Sequence, residues 1–364
     1  MDKHLNMSNF NYKVKVLGAG SIGNHLAFGC RTLGMDVCIV DTDSMALERT
    51  KTKIYPERYG KWDETIKLLT PEQVPDTRFD VVIIGTPPSS HLELAIYELA
   101  NNPPSIMLIE KPLTISGVDE IKSFIEIKKR SLDTRILVGY NQRLKENTQQ
   151  LIKLATSLKL GKLTGLNSNM LESWNGILGA HFWMKDEFDS YLPYTEKGGG
   201  ALHEHSHALN LFLYFAEQFG QGNVSEVKGE FNWVEHKYGR YDKEAYLSLV
   251  LESGLVGTVR QDLITWPAEK VLVSTFEKGK LYWEMGGEVD FVRLTDLDDE
   301  ELEVWNFPKT RPDDFIGEIR HLVYLLDSGS MQSPIDLEQG IETMRVINAA
   351  FESDISKSSV KLNR

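Results

Sequence analysis

The 364-residue sequence predicts an α/β fold in two domains. The N-terminal domain is expected to hold a parallel sheet covered by helices. The C-terminal domain is expected to be α+β, with a large, mostly antiparallel open sheet. Three observations carry this. The chain is too long for one core of ordinary size. Up to about residue 140, short apolar strands alternate with helical stretches, whereas later strands follow one another directly. A glycine-rich turn, Gly18-Ala-Gly20-Ser-Ile-Gly23, lies between the first strand and the first helix.

Composition narrows the function classes. Hydrophobic residues at 41% and charged residues at 26% suit an ordered globular chain. A net charge of -13 argues against a non-specific nucleic-acid binder, which needs a basic surface for phosphates. No apolar run approaches the roughly 20 residues of a membrane helix. The N-terminus, MDKHLNMSNFNYK, has no apolar core to serve as a signal peptide. The two cysteines, Cys30 and Cys38, lie in apolar surroundings and read as free buried thiols. A cytoplasmic protein is expected.

In chain order, Val14, Val16 and Leu17 make a first strand, a helix runs from Ile22 to about Leu33, and "DVCIV" is a second strand. The G-x-G-x-x-G spacing thus has a strand before it and a helix after it. Gly18 allows the tight turn, Gly20 lets a pyrophosphate approach the backbone, and Gly23 lets the helix pack on the strand. Ser21 and Ile22 complete the expected cofactor contacts, since the helix N-terminus faces the phosphates. Asp41 ends the second strand, where a carboxylate accepts hydrogen bonds from the adenosine ribose and repels a 2'-phosphate. NAD is therefore expected over NADP. "FDVVIIGTPP", a helix from about Ser90, "SIMLIEKP" and, after another helix, "RILVGYNQR" continue the alternation of a Rossmann domain ending near residue 140.

Beyond it, a helix is expected at about 146–158. "SEVKGEFNWVEH" and "EAYLSLVLE" alternate as half-buried strands, the latter with Ala245, Leu247, Leu249 and Leu251 inward. "EKVLVSTFEKGKLYWEM" reads as a hairpin turning at 277–280, and "DLDDEELE" as a solvated acidic loop. Phe315, Ile319 and Leu322 have helical spacing. A last helix at about 337–353 is expected to pack back on the N-terminal domain.

With "GAGSIG", "GTPPSSH", "IEKPL", "GYNQR" and "GGGALHEHSH" in this order, essentially the whole chain resembles the glucose-fructose oxidoreductase / inositol dehydrogenase / rhizopine catabolism (Gfo/Idh/MocA) family. The resemblance implies that Lys111 sits beside the nicotinamide and the substrate hydroxyl. It also implies that Thr86, Pro87, His91 and Glu110 line the cofactor groove, and that one sheet face joins subunits into dimers or tetramers. His207 matches the family's active-site histidine, and Asn210 stands where an Asp is common. The family's acid falls on His203 at an offset of four or on Glu204 at three. Glu204 is preferred, because a carboxylate can orient the imidazole. On a continuous helix both would share the face of His207. His203 and Trp174 are expected to contact substrate, with His181, Trp183 and Tyr194 as further aromatic neighbours.

The resulting expectation is an NAD-dependent dehydrogenase or reductase acting on a CH–OH group of a sugar, polyol or sugar derivative. Its D/E-x-S-H pattern is similar to enzymes of nonulosonic-acid and other surface-sugar pathways. Lys111 and His207 compete for the proton-carrying role. Two other readings are a non-catalytic NAD-binding regulator and a zinc hydrolase. The second arises because His203-Glu204-His205-Ser206-His207 spells H-E-x-x-H, but the metzincin extension fails at Leu213. No metal is expected.

Overall fold

The computed structural model describes residues 11–362 apart from 116, 132 and 180. Two compact units emerge, one holding the residues up to Asn141 and Pro312–Leu337, the other Gln142–Arg311 and the residues from Glu338 onward. The expected fold class is found: a parallel Rossmann-type sheet in the first unit and a largely antiparallel sheet in the second.

In the first unit the strands are β1 (Lys13–Leu17), β2 (Asp36–Val40), β3 (Lys67–Leu69), β4 (Val81–Ile84), β5 (Ile106–Ile109) and β6 (Arg135–Val138). They pair in parallel in the order β3-β2-β1-β4-β5-β6. The strands β4 and β5 are buried along their whole length, which explains their unbroken apolar sequences, VVII and IMLI. Helix α1 (Ser21–Thr32) follows β1 within a residue of expectation. A helical run of α2 (Ser44–Arg49), a π segment (Thr50–Ile54) and α3 (Tyr55–Tyr59) joins β2 to β3. Helices α4 (His91–Asn101) and α5 (Val118–Lys128) complete the alternation.

The second unit contains α6 (Glu146–Ser157), β7 (Leu163–Leu171), α7 (Trp174–Gly179), α8 (Ala201–Glu204) and α9 (His207–Gln218). The strands β8 (Val224–His236), β9 (Gly239–Leu251), β10 (Val256–Asp262), β11 (Glu269–Phe276), β12 (Gly279–Met285), β13 (Val289–Thr295) and β14 (Glu301–Pro308) then run in succession. With β15 (Val360–Lys361) they form one nine-stranded sheet, antiparallel except where β7 meets β10. Inward positions are those expected, with Ala245, Leu247, Leu249 and Leu251 buried. Helices α6 and α9 pack on this sheet.

Three sequence expectations need correction. The hairpin turns at Glu277-Lys278, so Gly279 and Lys280 already belong to β12. Only residues 296–300 of "DLDDEELE" form a loop, because Glu301 onward pairs with β13. Helix α10 (Arg311–Ser328), not the last helix α11 (Leu337–Ser356), groups with the first unit. Its Ile319 lies against Gly29 of α1, and its Phe315 ring stacks on His25 at 4.5 Å. A side chain at Gly29 would stand 3.1 Å from Ile319, so a small residue there sets the approach. Helix α11 instead lays Phe351 against Phe231 of β8.

A buried charge cluster ties three parts of the second unit. Asp290 of β13 bridges Lys145, just before α6, at 2.7 Å and Lys309, just after β14, at 2.8 Å. All three side chains are at most one-tenth exposed. Removing the shared carboxylate takes an ion-pair partner from two buried ammonium groups at once. Asp290→Asn is therefore expected to lower the unfolding free energy by about 3 kcal/mol, read from chemical denaturation.

Candidate functional site

The carboxyl edge of the six-stranded sheet is built by one repeated backbone contact. Gly18 N–H donates to Val40 O at 2.8 Å, Gly85 to Leu17 O at 2.8 Å, Glu110 to Ile84 O at 2.9 Å and Gly139 to Ile109 O at 2.8 Å. Each bond joins the first residue beyond a strand to a neighbouring strand's end. The turns after β1, β4, β5 and β6 therefore stand in a row. Strand order reverses between β1 and β4, and open α/β sheets bind ligands at that crevice.

Glycine geometry shapes this junction. Gly18 has φ +102°, and a side chain there would meet Gly85 O at 2.8 Å. A Cβ on Gly23 would lie 2.0 Å from Gly18 O, so only glycine lets α1 start against the turn. At Gly20 a Cβ would meet nothing within 4 Å, leaving open space above the backbone. Such a cradle, with a helix N-terminus behind it, fits a pyrophosphate. Asp41 stands beside it. Its Oδ2 accepts Ala19 N–H at 2.7 Å and its Oδ1 accepts Asp43 N–H at 2.8 Å. Ser21 lies at the start of α1, where its Oγ and carbonyl accept from Arg58, and Ile22 follows in the same turn.

Residues after β4 and β5 divide into surface and support. Lys111 is half-buried, and its N–H donates to the Glu110 carboxylate at 3.2 Å. Glu110 itself is buried, and the absence of a side chain at Gly139 makes room for it. Thr86 accepts the Ser90 hydroxyl at 2.7 Å, and Pro87 precedes the short turn 88–90. His91 departs from expectation. Its ring is fully buried, with Nδ1 3.0 Å from Pro112 O and Nε2 2.8 Å from Thr86 O. It ties the two loops together instead of lining a groove. Burial outweighs these carbonyls and pushes its pKa down.

In the second unit, the histidine stretch is not one helix. Helix α8 ends at Glu204, a turn at His205 and Ser206 follows, and α9 begins at His207. Ser206 N–H reaches His203 O, three residues back, at 3.3 Å. Offsets of three and four on one continuous helix therefore no longer argue for a face shared by His203, Glu204 and His207. The same break removes the continuous helix that an H-E-x-x-H zinc site requires. Among the described residues, no group of three or more His, Cys, Asp or Glu side chains is arranged to hold a metal ion. His203, expected at the substrate, is buried with its ring 5.3 Å from Phe351. Trp174 packs edge-on against Tyr241, beside a small buried cluster that includes Ile177, Leu192 and Leu263.

Two buried polar groups that sequence reasoning missed hold this stretch. Asp242 of β9 accepts Leu202 N–H at 2.8 Å and so caps α8 from a distant strand. A Cβ on Gly200, which has φ +89°, would lie 1.9 Å from Asp242 Oδ1. Gln261 of β10 donates to the Leu202 carbonyl at 3.2 Å. Alternation from Ala245 would turn Asp242 to the outer face. A bulge prevents this, since Asn232 pairs with Glu244 but Trp233 with Asp242. The extra residue, Lys243, slips the period by one. Further along, Arg143 is fully buried and donates to the side chain and carbonyl of Asn210, one turn after His207. Asn210 in turn donates to Thr343 of α11 at 2.9 Å.

Residues 12–140 match the model of the GFO_IDH_MocA oxidoreductase family, NAD-binding Rossmann fold. The matched stretch holds all six strands of the parallel sheet and none of the second unit. No curated protein matches the sequence significantly. Solved structures do match the whole chain. An oxidoreductase from Agrobacterium radiobacter, in complex with NAD+, L-tartaric acid and magnesium, shares 16% identity, covering 97% of this chain and 98% of its own, with a TM-score of 0.74. The WlbA dehydrogenase from Bordetella pertussis, in complex with NADH and UDP-GlcNAcA, shares 16% over 98% of this chain and 100% of its own, at 0.70. The aldose-aldose oxidoreductase from Caulobacter crescentus, complexed with glycerol, shares 17% over 97% and 100%, at 0.73. At this identity the likeness shows the fold.

Two tests follow from the geometry. Gly23→Ala forces a backbone shift and is expected to cost about 2 kcal/mol or more, whereas Gly20→Ala leaves stability within about 0.5 kcal/mol. Thermal unfolding of the pair measures the contrast. Asp242 is pushed up to about 7 by burial, which the N–H groups of Leu202 and Ala201 oppose without cancelling. Its folded pKa thus exceeds the unfolded value of about 3.9. The stability it confers is full below about pH 4 and is lost as pH rises towards 7. Asp242→Asn keeps an acceptor for Leu202 and should flatten that slope in denaturation curves taken across this window.

Proposed function

We propose that the chain is an NAD-dependent oxidoreductase that moves a hydride between nicotinamide and a hydroxyl-bearing carbon of a sugar, polyol or sugar derivative. The carrying observation is the glycine cradle at the strand-order reversal, with open space at Gly20 and Asp41 beside it. Asp41 favours NAD over NADP, because its carboxylate would oppose a 2'-phosphate. The neighbours' ligands support the reading: NAD+ or NADH in two of them, and UDP-GlcNAcA in the WlbA dehydrogenase. A surface-sugar derivative is the substrate class we favour.

When bound, the nicotinamide gives or accepts the hydride. The protein's own residues manage the charge and the proton. Lys111 holds the substrate oxygen and stabilises the alkoxide that develops on it. His207 takes the proton from that oxygen in oxidation and returns it in reduction. We further assign the sheet face opposite Ala245 and Leu247, where Tyr246 and Val256 are exposed, to contact between copies of the chain. No helix among the described residues is long and apolar enough to cross a membrane.

Titrating the protein with NADH while following nicotinamide fluorescence tests the cofactor assignment, and no binding at millimolar cofactor would overturn it. A panel of sugars and sugar nucleotides, followed at the nicotinamide absorbance band, then identifies the substrate. On that substrate, Lys111→Ala and His207→Ala should each reduce turnover by roughly 10²- to 10⁴-fold. Intact turnover in Lys111→Ala contradicts the mechanism.

A further inference from the structure

Asn24 lies in the first turn of α1 and is fully buried, as is Thr50 in the π segment after α2. The Asn24 amide nitrogen is 2.7 Å from Gly20 O, 3.0 Å from Ala19 O and 3.1 Å from Thr50 Oγ1. The Ala19 carbonyl therefore points inward at this side chain, and the Gly20 carbonyl points at both the side chain and the backbone N–H of Asn24, the latter at 3.1 Å.

Peptide planarity gives this orientation a consequence. The N–H of each trans peptide is directed opposite to the carbonyl of the same unit. With the Ala19 carbonyl turned in, the Gly20 N–H is turned out. With the Gly20 carbonyl turned in, the Ser21 N–H is turned out. Among the described residues, neither N–H donates to a protein acceptor. The adjoining Ala19 N–H is held separately by Asp41 at 2.7 Å. The outward pair flanks the direction in which a Gly20 side chain would meet nothing within 4 Å. The π segment matters because it brings Thr50 into the buried layer beneath the turn, 3.5 Å from Ala19 O.

We propose that Asn24, backed by Thr50, is the positioning residue that presets two backbone N–H groups for the dinucleotide pyrophosphate. The proposal rests on the NAD reading above. Asn24 does not touch the cofactor. It fixes the peptide orientation that a phosphate would otherwise have to impose on binding, and that pre-organisation appears as affinity. The effect is confined to phosphate-bearing ligands, because the ribose and base are held elsewhere.

The test uses the full-length protein, with NADH, ADP-ribose and adenosine competing at one site and stability followed by thermal unfolding. The wild type should bind all three, with ADP-ribose much tighter than adenosine. Asn24→Ala should weaken NADH and ADP-ribose about tenfold and adenosine less than twofold. Asn24→Asp, which sets a carboxylate against two carbonyls, should weaken the phosphate ligands further. Thr50→Val keeps the volume, removes one partner of the amide, and should cost two- to threefold on the same two ligands. If Asn24→Ala fails to fold, Thr50→Val decides by the same ratio. Weakening adenosine and ADP-ribose equally would mark a merely structural role and overturn the proposal. So would unchanged ADP-ribose affinity in a folded variant. A wild type that binds neither NADH nor ADP-ribose overturns the cofactor reading first, and this proposal with it.

Discussion

Backbone approach without side chains, at the end of the six-stranded sheet, is the constraint on which the glycine cradle depends. A Cβ on Gly85 would lie 3.3 Å from the Cα of Gly23, and one on Gly23 would lie 2.0 Å from Gly18 O. Helix α1 consequently begins directly on the junction of β1 and β4. Its N-terminal N–H groups arrive where strand order reverses, because no side chain holds them away. Polar order follows from that position. Asp41 reaches the turn from the end of β2, and Arg58 reaches Ser21 from α3.

The second unit meets a similar demand with longer-range means. A four-residue helix, α8, has too few internal bonds to hold itself, and propensity cannot make up the deficit. Its ends are fixed by the sheet beneath. Asp242 takes an N–H from below, Gln261 gives one to a carbonyl, and the Arg143–Asn210 bonds secure the first turn of α9. The break at His205 and Ser206 is tolerated because each side of it is tied independently. Among the three histidines, packing separates the roles that spelling had grouped. His203 faces Phe351, His205 is buried, and His207 opens the longer helix.

What could be read from the sequence was whatever a short window encodes. The glycine turn, the strand before it, the helix after it and Asp41 all fall within thirty residues, and their spacing carries the geometry. The alternation of β9 was legible for the same reason. Asp242 was not, because a one-residue bulge reverses the face it occupies, and no residue type in "GRYDKEAYLSLV" marks the bulge. The interruption of the histidine helix carries no glycine or proline to signal it. The return of α10 to the first unit depends on Gly29 meeting Ile319 across 290 positions, a separation beyond any periodicity argument. Asn24 is visible as a letter in the first helix turn. Its purpose appears only when Thr50 and two carbonyls surround it.

The glycines of 198–200 show how such constraints interlock. A side chain on Gly199 would lie 2.1 Å from Leu192 O, a clash with backbone that cannot yield. At Gly200 the obstruction is a carboxylate oxygen, 1.9 Å away, and it can move. A larger residue there would displace Asp242, and α8 would lose its cap. Gly200 and Asp242 are thus one device, split between a turn and a strand bulge. The cradle of the first unit is held by an amide, which has no titration to vary its hold. The histidine helix is held by a fully buried carboxyl group. The chain thus braces its glycine turn with a group indifferent to pH, and its histidine stretch with a carboxyl group that burial pushes up to about 7.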